Sequence, residues 1–209
     1  MKCWRGSVKG IFIDIETNGL DYDIHRALEI CVIIYDLHSM LCITEYSSLI
    51  HCSEFEWDNE SDPVALQVNG IKYEDVEHAK MHKEVCDDLA EIFLSHEIHK
   101  TNSVFICQNP SFDRGFFNHI MPVEVQKELE LPYHWLDLAS MYFMENLVPK
   151  QINGRTFRYH PHITTIPCSK DAIASFYGLP IEGKPHRAAN GVKHLIECYR
   201  AMVYNDPSN

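Results

Sequence analysis

The sequence predicts an α/β domain on a mixed five-stranded sheet, three antiparallel strands continued by parallel ones and flanked by helices. Three observations carry that expectation. Three β-branched, apolar stretches follow one another early in the chain with short turns between them. Helical and strand patterns then alternate, as the crossovers of parallel strands require. The chain has 209 residues, 45% of them hydrophobic, enough for one large core, so residues 1–209 are read as a single domain.

The elements follow in order. Residues 10–16, 28–36 and 41–50 read as strands, separated by the turn signals NGLD at 18–21 and DLHSM at 36–40. In HKEVCDDLAEIFLSH, Val85, Leu89, Ile92 and Phe93 recur at helical spacing, which predicts a helix crossing over to the strand SVFIC at 103–107. A helix after Ser111, a strand within HWLDLA at 134–139, and helices after Ser169 and Arg187 complete the pattern. Residues 147–168 read as the one long loop.

Charge and cysteine usage narrow the function. Asp and Glu number 30 against 18 Lys and Arg, a balance that excludes a broad basic face for gripping duplex DNA. A nucleic-acid partner would be held locally or through metal ions. Eight cysteines are scattered without a C-x-x-C pair, as in reduced thiols of a cytoplasmic protein. The apolar run near the N-terminus is interrupted by carboxylates, and ICVIIY at 30–35 is too short to span a bilayer, so no membrane partner is expected.

The chemistry starts at FIDIETNGL. On a strand, residues two apart share a face, so Asp14 and Glu16 project together with Cα atoms about 6–7 Å apart. Exposed acids at a strand end are the bland alternative. Both, however, interrupt a core-like strand, where unpaired carboxylates are costly unless a cation compensates them. Thr17, Asn18 and Gly19 follow in a turn that lets a ligand approach the backbone. In CQNPSFDRGFFNHI a strand ends at Cys107, and Asp113 falls in the first turn of the next helix. Alone, such an acid complements the helix dipole; at the carboxyl end of a sheet strand it also stands where α/β folds place ligands.

Together, three stretches resemble the motifs of the DnaQ-like 3′-to-5′ exonucleases of the DEDDh group, within the ribonuclease H-like superfamily. FIDIETNGL is similar to the first motif, with Asp14 and Glu16; QNPSFDRGFF to the second, with Asp113; HRAANG to the third, with His186. QVNGI at 67–71 resembles a further family landmark, and the likeness extends over most of residues 9–203. The resemblance implies two Mg²⁺ or Mn²⁺ ions about 3.5–4 Å apart, held by Asp14, Glu16 and Asp113, with His186 as general base. It implies hydrolysis of single-stranded DNA or short RNA to nucleoside 5′-monophosphates. DNA against RNA, a homodimer and a polymerase partner all stay open.

The third motif departs from the family pattern. A fifth acid belongs five positions after the histidine, and this chain has Gly191 there. Asn190 is off register and offers only a neutral oxygen. Glycine costs about 1 kcal/mol relative to alanine inside a helix, and Asn-Gly is a turn signal, so the last helix is expected to begin at 191 or 192. Three explanations compete: another ligand such as a water, Glu182 or His194; a degenerate member that binds without cutting; or a change peculiar to this chain. Restoring an acid at position 191 is the discriminating substitution.

The substrate-facing candidates are Thr17, Asn18, Gly19 and Leu20 of the first motif and Asn109 and Phe112 near the second. Arg155 and Arg158 join them from LVPKQINGRTFRYHPHITTIP, where cations and aromatics interleave without an acid, as suits a single strand. An ordinary solvated excursion explains that stretch equally well. His78 and His82, four apart, read as a solvated helix face, His160 and His162 as loop residues, and Asp137 as structural.

Overall fold

The computed structural model describes residues 7–147, 150–152, 155–157 and 166–204. The chain opens with the antiparallel strands β1 (Lys9–Thr17), β2 (Ala27–Asp36) and β3 (Leu41–Leu49). Short helices α1 (Glu54–Glu60), α2 (Pro63–Asn69) and α3 (Tyr73–Val76) lead to α4 (His82–Ser95) and β4 (Ser103–Cys107). Then come α5 (Pro110–Ile120), α6 (Val123–Glu128), β5 (Trp135–Asp137) and α7 (Leu138–Leu147). A two-stranded hairpin, β6 (Lys150–Ile152) with β7 (Arg155–Phe157), precedes α8 (Lys170–Phe176) and α9 (Ala188–Tyr204).

The main sheet has the order β3-β2-β1-β4-β5. β1 pairs antiparallel with β2 and parallel with β4, and β4 pairs parallel with β5, which is the mixed five-stranded arrangement expected from the sequence. Strand periodicity divides the side chains of β1 between two helix layers. Ile11, Ile13 and Ile15 pack with Val85, Leu89 and Phe93 of α4 and Phe116 and Phe117 of α5. Phe12 packs on the other face with Leu138, Ile173, Val192 and Leu195 from α7, α8 and α9. Each such fully buried side chain contributes roughly 1.5–3 kcal/mol. Asp14 and Glu16 continue the Phe12 row, so the same alternation that builds the core aims both acids at α8 and α9.

Three features differ from the sequence expectation. The segment between β3 and α4 holds three short helices. The first is started by a reciprocal cap in which Ser53 N–H donates to Glu56 Oε2 at 3.0 Å and Glu56 N–H to Ser53 Oγ at 3.3 Å. The long loop carries the β6–β7 hairpin, while Arg158, Tyr159, His160 and His162 lie outside the described residues. The last helix starts at Ala188, not at 191 or 192. Its first turn is capped from a distant strand, where Glu29 Oε2 on β2 accepts the Ala188 N–H at 2.9 Å, and closed locally by Arg187 O, which accepts the Gly191 N–H at 2.9 Å.

Smaller features complete the fold. Asp137 is structural, its Oδ1 accepting N–H groups of Asn109 at 2.9 Å and Ala139 at 3.2 Å. His78 lies in the turn before α4, which begins at His82, so the two histidines do not share a helix. No disulfide joins the described cysteines, and among the described residues no helix is long and apolar enough to cross a membrane.

Candidate active site

The carboxyl end of β1 opens into a cleft lined by Asp14, Glu16, Lys170, Glu182 and His186. Asp14 and Glu16 come from the strand, Lys170 from the first turn of α8, and Glu182 and His186 from the segment that leads into α9. Asp113 enters from the opposite helix layer. Asn109, in a left-handed conformation with φ 60°, turns the chain into α5 with Pro110 at its first position, and Asp113 follows in the first turn. The Asp113 carboxyl is buried beside the Ile15 backbone of β1, which brings the third acid behind the first two.

The QVNGI stretch ties the first motif to the third. Buried Asn69 donates from Nδ2 to Thr17 O at 2.9 Å. Val68 O accepts the His186 N–H at 3.0 Å. Gly70, at φ 65°, lies against Pro185, and a Cβ there would come 2.9 Å from that ring. Register across the sheet adds a second tie. Glu16 stands directly opposite Glu29 on β2, an unfavourable like-charge pair. Arg187 offsets it by gripping Glu29 with Nε at 2.9 Å and Nη2 at 2.8 Å.

Gly191 is inside α9, and its missing side chain has a physical reason. A Cβ on it would lie 2.1 Å from Asp14 Oδ2 and 3.1 Å from Lys170 Nζ. Asp14 thus fills the space that a residue-191 side chain would need. The Lys170 ammonium is held by three oxygens: Glu182 Oε2 at 2.9 Å, Gly191 O at 3.3 Å and Asp14 Oδ1 at 3.4 Å. His194 is elsewhere engaged, its Nε2 paired with Pro180 O at 3.0 Å, although its Nδ1 lies 3.8 Å from Glu182 Oε2. Of the substitute ligands weighed for the fifth acid, Glu182 reaches the cleft, whereas Asn190 is exposed.

The electrostatics reflect crowded acids. Burial raises the Asp14 carboxyl, and Lys170 only partly offsets it. Burial, with Asp14 and Glu182 adding to it, pushes Glu16 up to about 8. Asp113 is held well above the usual carboxylate range by burial and by Asp14. For Lys170 burial opposes the charge, but Asp14 and Glu182 outweigh it and hold the ammonium above its ordinary range. One firmly charged cation therefore faces four carboxyl groups, a deficit that a divalent ion would relieve. The carboxylate oxygens of Asp14, Glu16 and Asp113 suit a hard cation. Among the described residues no group of three acids, histidines or cysteines is already gathered as a metal cage.

The substrate-facing candidates divide. Thr17, Leu20 and Phe112 line a second cleft beside Glu16, together with Val64, Val68 and Asn69. Leu20 is 75% exposed there. Asn18 is fully buried and builds the turn instead, with Nδ2 on Ser61 Oγ at 3.0 Å and Oδ1 accepting the Arg26 N–H at 2.6 Å. Gly19 is packed under the His25 ring, where a Cβ would meet Cδ2 at 2.0 Å. Exposed Asn109 accepts from Ser111 Oγ at 2.6 Å. The backbone of Arg155 lies in β7; its side chain, like all of Arg158, lies outside what is described.

The family described as "RNase_T: Exonuclease" matches residues 11–199, nearly the whole described chain. The chain belongs to the DnaQ-like exonuclease family. Solved structures share its ribonuclease H-like fold. E. coli exonuclease I in complex with a dT13 oligonucleotide superposes with a TM-score of 0.68 at 14% identity, over 96% of this chain and 42% of that one. A 3′-exonuclease described in 3′-end specific recognition of a histone mRNA stem-loop gives 0.68 at 14% identity, covering 95% and 82%. The nuclease domain of 3′hExo, a DEDDh family member bound to rAMP, gives 0.67 at 14% identity, covering 94% and 92%. This chain thus spans less than half the length of E. coli exonuclease I. No curated protein matches its sequence significantly.

Two site residues of this DnaQ-like chain were missed by sequence reasoning. Lys170 was hidden as an ordinary lysine after the helix cap Ser169, which accepts the Ala172 N–H at 3.2 Å. Its signal was local: a cation in a first helical turn opposes the helix dipole, so another demand had to place it there. Glu29 looked like a lone acid in an apolar strand, the same signal that had marked Asp14 and Glu16.

Proposed function

We propose that the chain, as a single domain, is a metal-dependent 3′-to-5′ exonuclease acting on single-stranded or short nucleic acid and releasing nucleoside 5′-monophosphates. The observation that carries this reading is the convergence of half-buried Asp14 and Glu16 and buried Asp113 at one end of β1, with less positive charge than they need, beside His186 in an open cleft. Asp14, Glu16 and Asp113 would hold Mg²⁺ or Mn²⁺. When bound, a divalent ion supplies Lewis-acid polarisation of the phosphodiester and its attacking water. His186 takes the proton of that water as general base. Leu20 and Phe112, in the adjoining cleft, offer apolar surface to a terminal base. The net charge of −12 favours short or single-stranded substrates over long duplexes.

A second reading is favoured by one observation: Lys170 already neutralises part of the Asp14 charge, as in a degenerate member that binds nucleic acid without cutting it. The two separate in an assay of mononucleotide release from a 3′-labelled single strand with Mn²⁺. Release by the native chain that Asp14→Ala abolishes supports the exonuclease. Equal, background release by both, with oligonucleotide binding retained, leaves the binding protein.

A further inference from the structure

We propose that the Lys170 ammonium stands in for one of the two divalent ions that the family pattern implies, so that this site takes up a single divalent cation. The inference deepens the exonuclease reading and rests on it for the identity of the site. Four observations lead to it.

The first is placement. Lys170 Nζ sits in the cleft between the Asp14 carboxylate, a carbonyl of the third-motif helix and Glu182, an oxygen environment of the kind a hard cation would use. Its side chain is 14% exposed, so the charge is built into the wall instead of sampling solvent.

The second is the exchange at position 191. The residue that would bring the fifth acid has no side chain, and Asp14 with Lys170 occupies the vacated volume. A carboxylate nevertheless remains: Glu182 is 9% exposed and meets Lys170 from the other side. An acid on α9 has in effect been exchanged for an acid on the preceding segment and a tethered cation between them.

The third is how this arrangement is supported. Glu182 N–H donates to Asp171 Oδ1 at 3.0 Å, which fixes the segment carrying Glu182 against the start of α8. Lys170 and its partner acid are therefore positioned by neighbouring residues of one helix end.

The fourth is local cost. A lysine in the first turn of α8 opposes the helix dipole and desolvates an ammonium, two penalties that the carboxylates must offset. A cation serving only the fold would sit better elsewhere on the helix.

In this arrangement Lys170, its three N–H groups taken by Glu182, Gly191 O and Asp14, supplies a fixed positive charge in the cleft wall, while Glu16, Asp113 and the other lobe of Asp14 serve the single ion. No bond is made or broken at Lys170.

The test counts ions on the metal-free full chain, titrated calorimetrically with Mn²⁺ in the absence of nucleic acid. The native chain and Lys170→Arg are expected to take one Mn²⁺ per chain, and Lys170→Met two. A native count of two or none overturns the proposal, as does a folded Lys170→Met chain that still takes one. If Lys170→Met does not fold, the native count decides alone. Mononucleotide release, measured in parallel, separates the two readings. Release with a native count of two refutes the lysine's role and leaves the exonuclease standing. A native count of one that rises to two in Lys170→Met, without release, supports the lysine's role and removes the exonuclease.

Discussion

Glu29 and Arg187 form a two-bonded carboxylate–guanidinium pair, with Nε–Oε2 at 2.9 Å and Nη2–Oε1 at 2.8 Å, that fastens the start of α9 to β2. The same Glu29 oxygen caps the helix through the Ala188 N–H, one residue from His186's neighbour Arg187. Glu29→Ala leaves both donors unpaired. We expect a loss of roughly 2 kcal/mol, because Arg187 keeps access to water while the buried N–H does not. Urea unfolding checks the stability, and mononucleotide release should fall with it as His186 loses its anchor.

Restoring an acid at position 191 alone should not help. A side chain there collides with Asp14 before it can ligate anything. Gly191→Asp is expected to weaken Mn²⁺ binding about tenfold, the equivalent of about 1.4 kcal/mol. Gly191→Asp combined with Lys170→Met, which frees Asp14 to turn away from position 191, should recover it. Tighter binding in the single variant, measured by calorimetry, would refute the steric argument.

Asp113→Asn should trade activity for stability. The raised Asp113 carboxyl contributes stability below its unfolded value near 3.8, and that contribution is lost as pH rises toward its folded value. A neutral amide removes the penalty. The metal-free variant should melt higher than the native chain, by about 2–4 °C for each kcal/mol recovered, with the gain growing from pH 5 to pH 8. Mononucleotide release should vanish.

Glu56 behaves in the opposite sense. Burial works to raise it, but hydrogen bonds from Ser53 and Arg26 outweigh burial and hold it at about 2. Its stabilisation is present above the unfolded value of 4.5 and is lost as pH falls through about 2. Arg26 also binds Asn18, so this network fixes the first-motif turn. Glu56→Gln should cost roughly 1–2 kcal/mol at pH 7 and only a small fraction of that at pH 2, read by urea midpoints at both.

Leu20, 75% exposed beside Phe112, stabilises little in the free protein. Leu20→Ala should leave the melting temperature unchanged and raise KM about fivefold, as losing roughly 1 kcal/mol of apolar contact would. A changed melting temperature with an unchanged KM would remove Leu20 from the substrate surface.

The sheet was legible because its signals are local and periodic: each of the five main strands starts and ends within about two residues of its apolar run. The acids of β1 were legible for the same reason, as charges breaking a buried pattern. The start of α9 was not, because the Asn190-Gly191 turn signal is overruled by Glu29, which arrives from a strand far away in sequence. Lys170 gave only a local hint, a cation in a first helical turn, because what demands it, Asp14 and Glu182, is not adjacent to it in the chain. The helices α1–α3 show the contrary failure: the S-x-x-E cap at Ser53–Glu56 was readable and went unread.

The contact between the Gly191 backbone and the Asp14 carboxylate makes positions 14, 170, 182 and 191 a single inherited choice. A lineage cannot pass from one metal-site layout to the other by one substitution. An acid gained at 191 meets Asp14 where Lys170 holds it, and Lys170 lost first leaves Asp14 and Glu182 dependent on a second divalent ion for their counter-charge. Each intermediate is worse than either end, so the two layouts should be separated by paired replacements, with related chains carrying one set or the other and few mixtures.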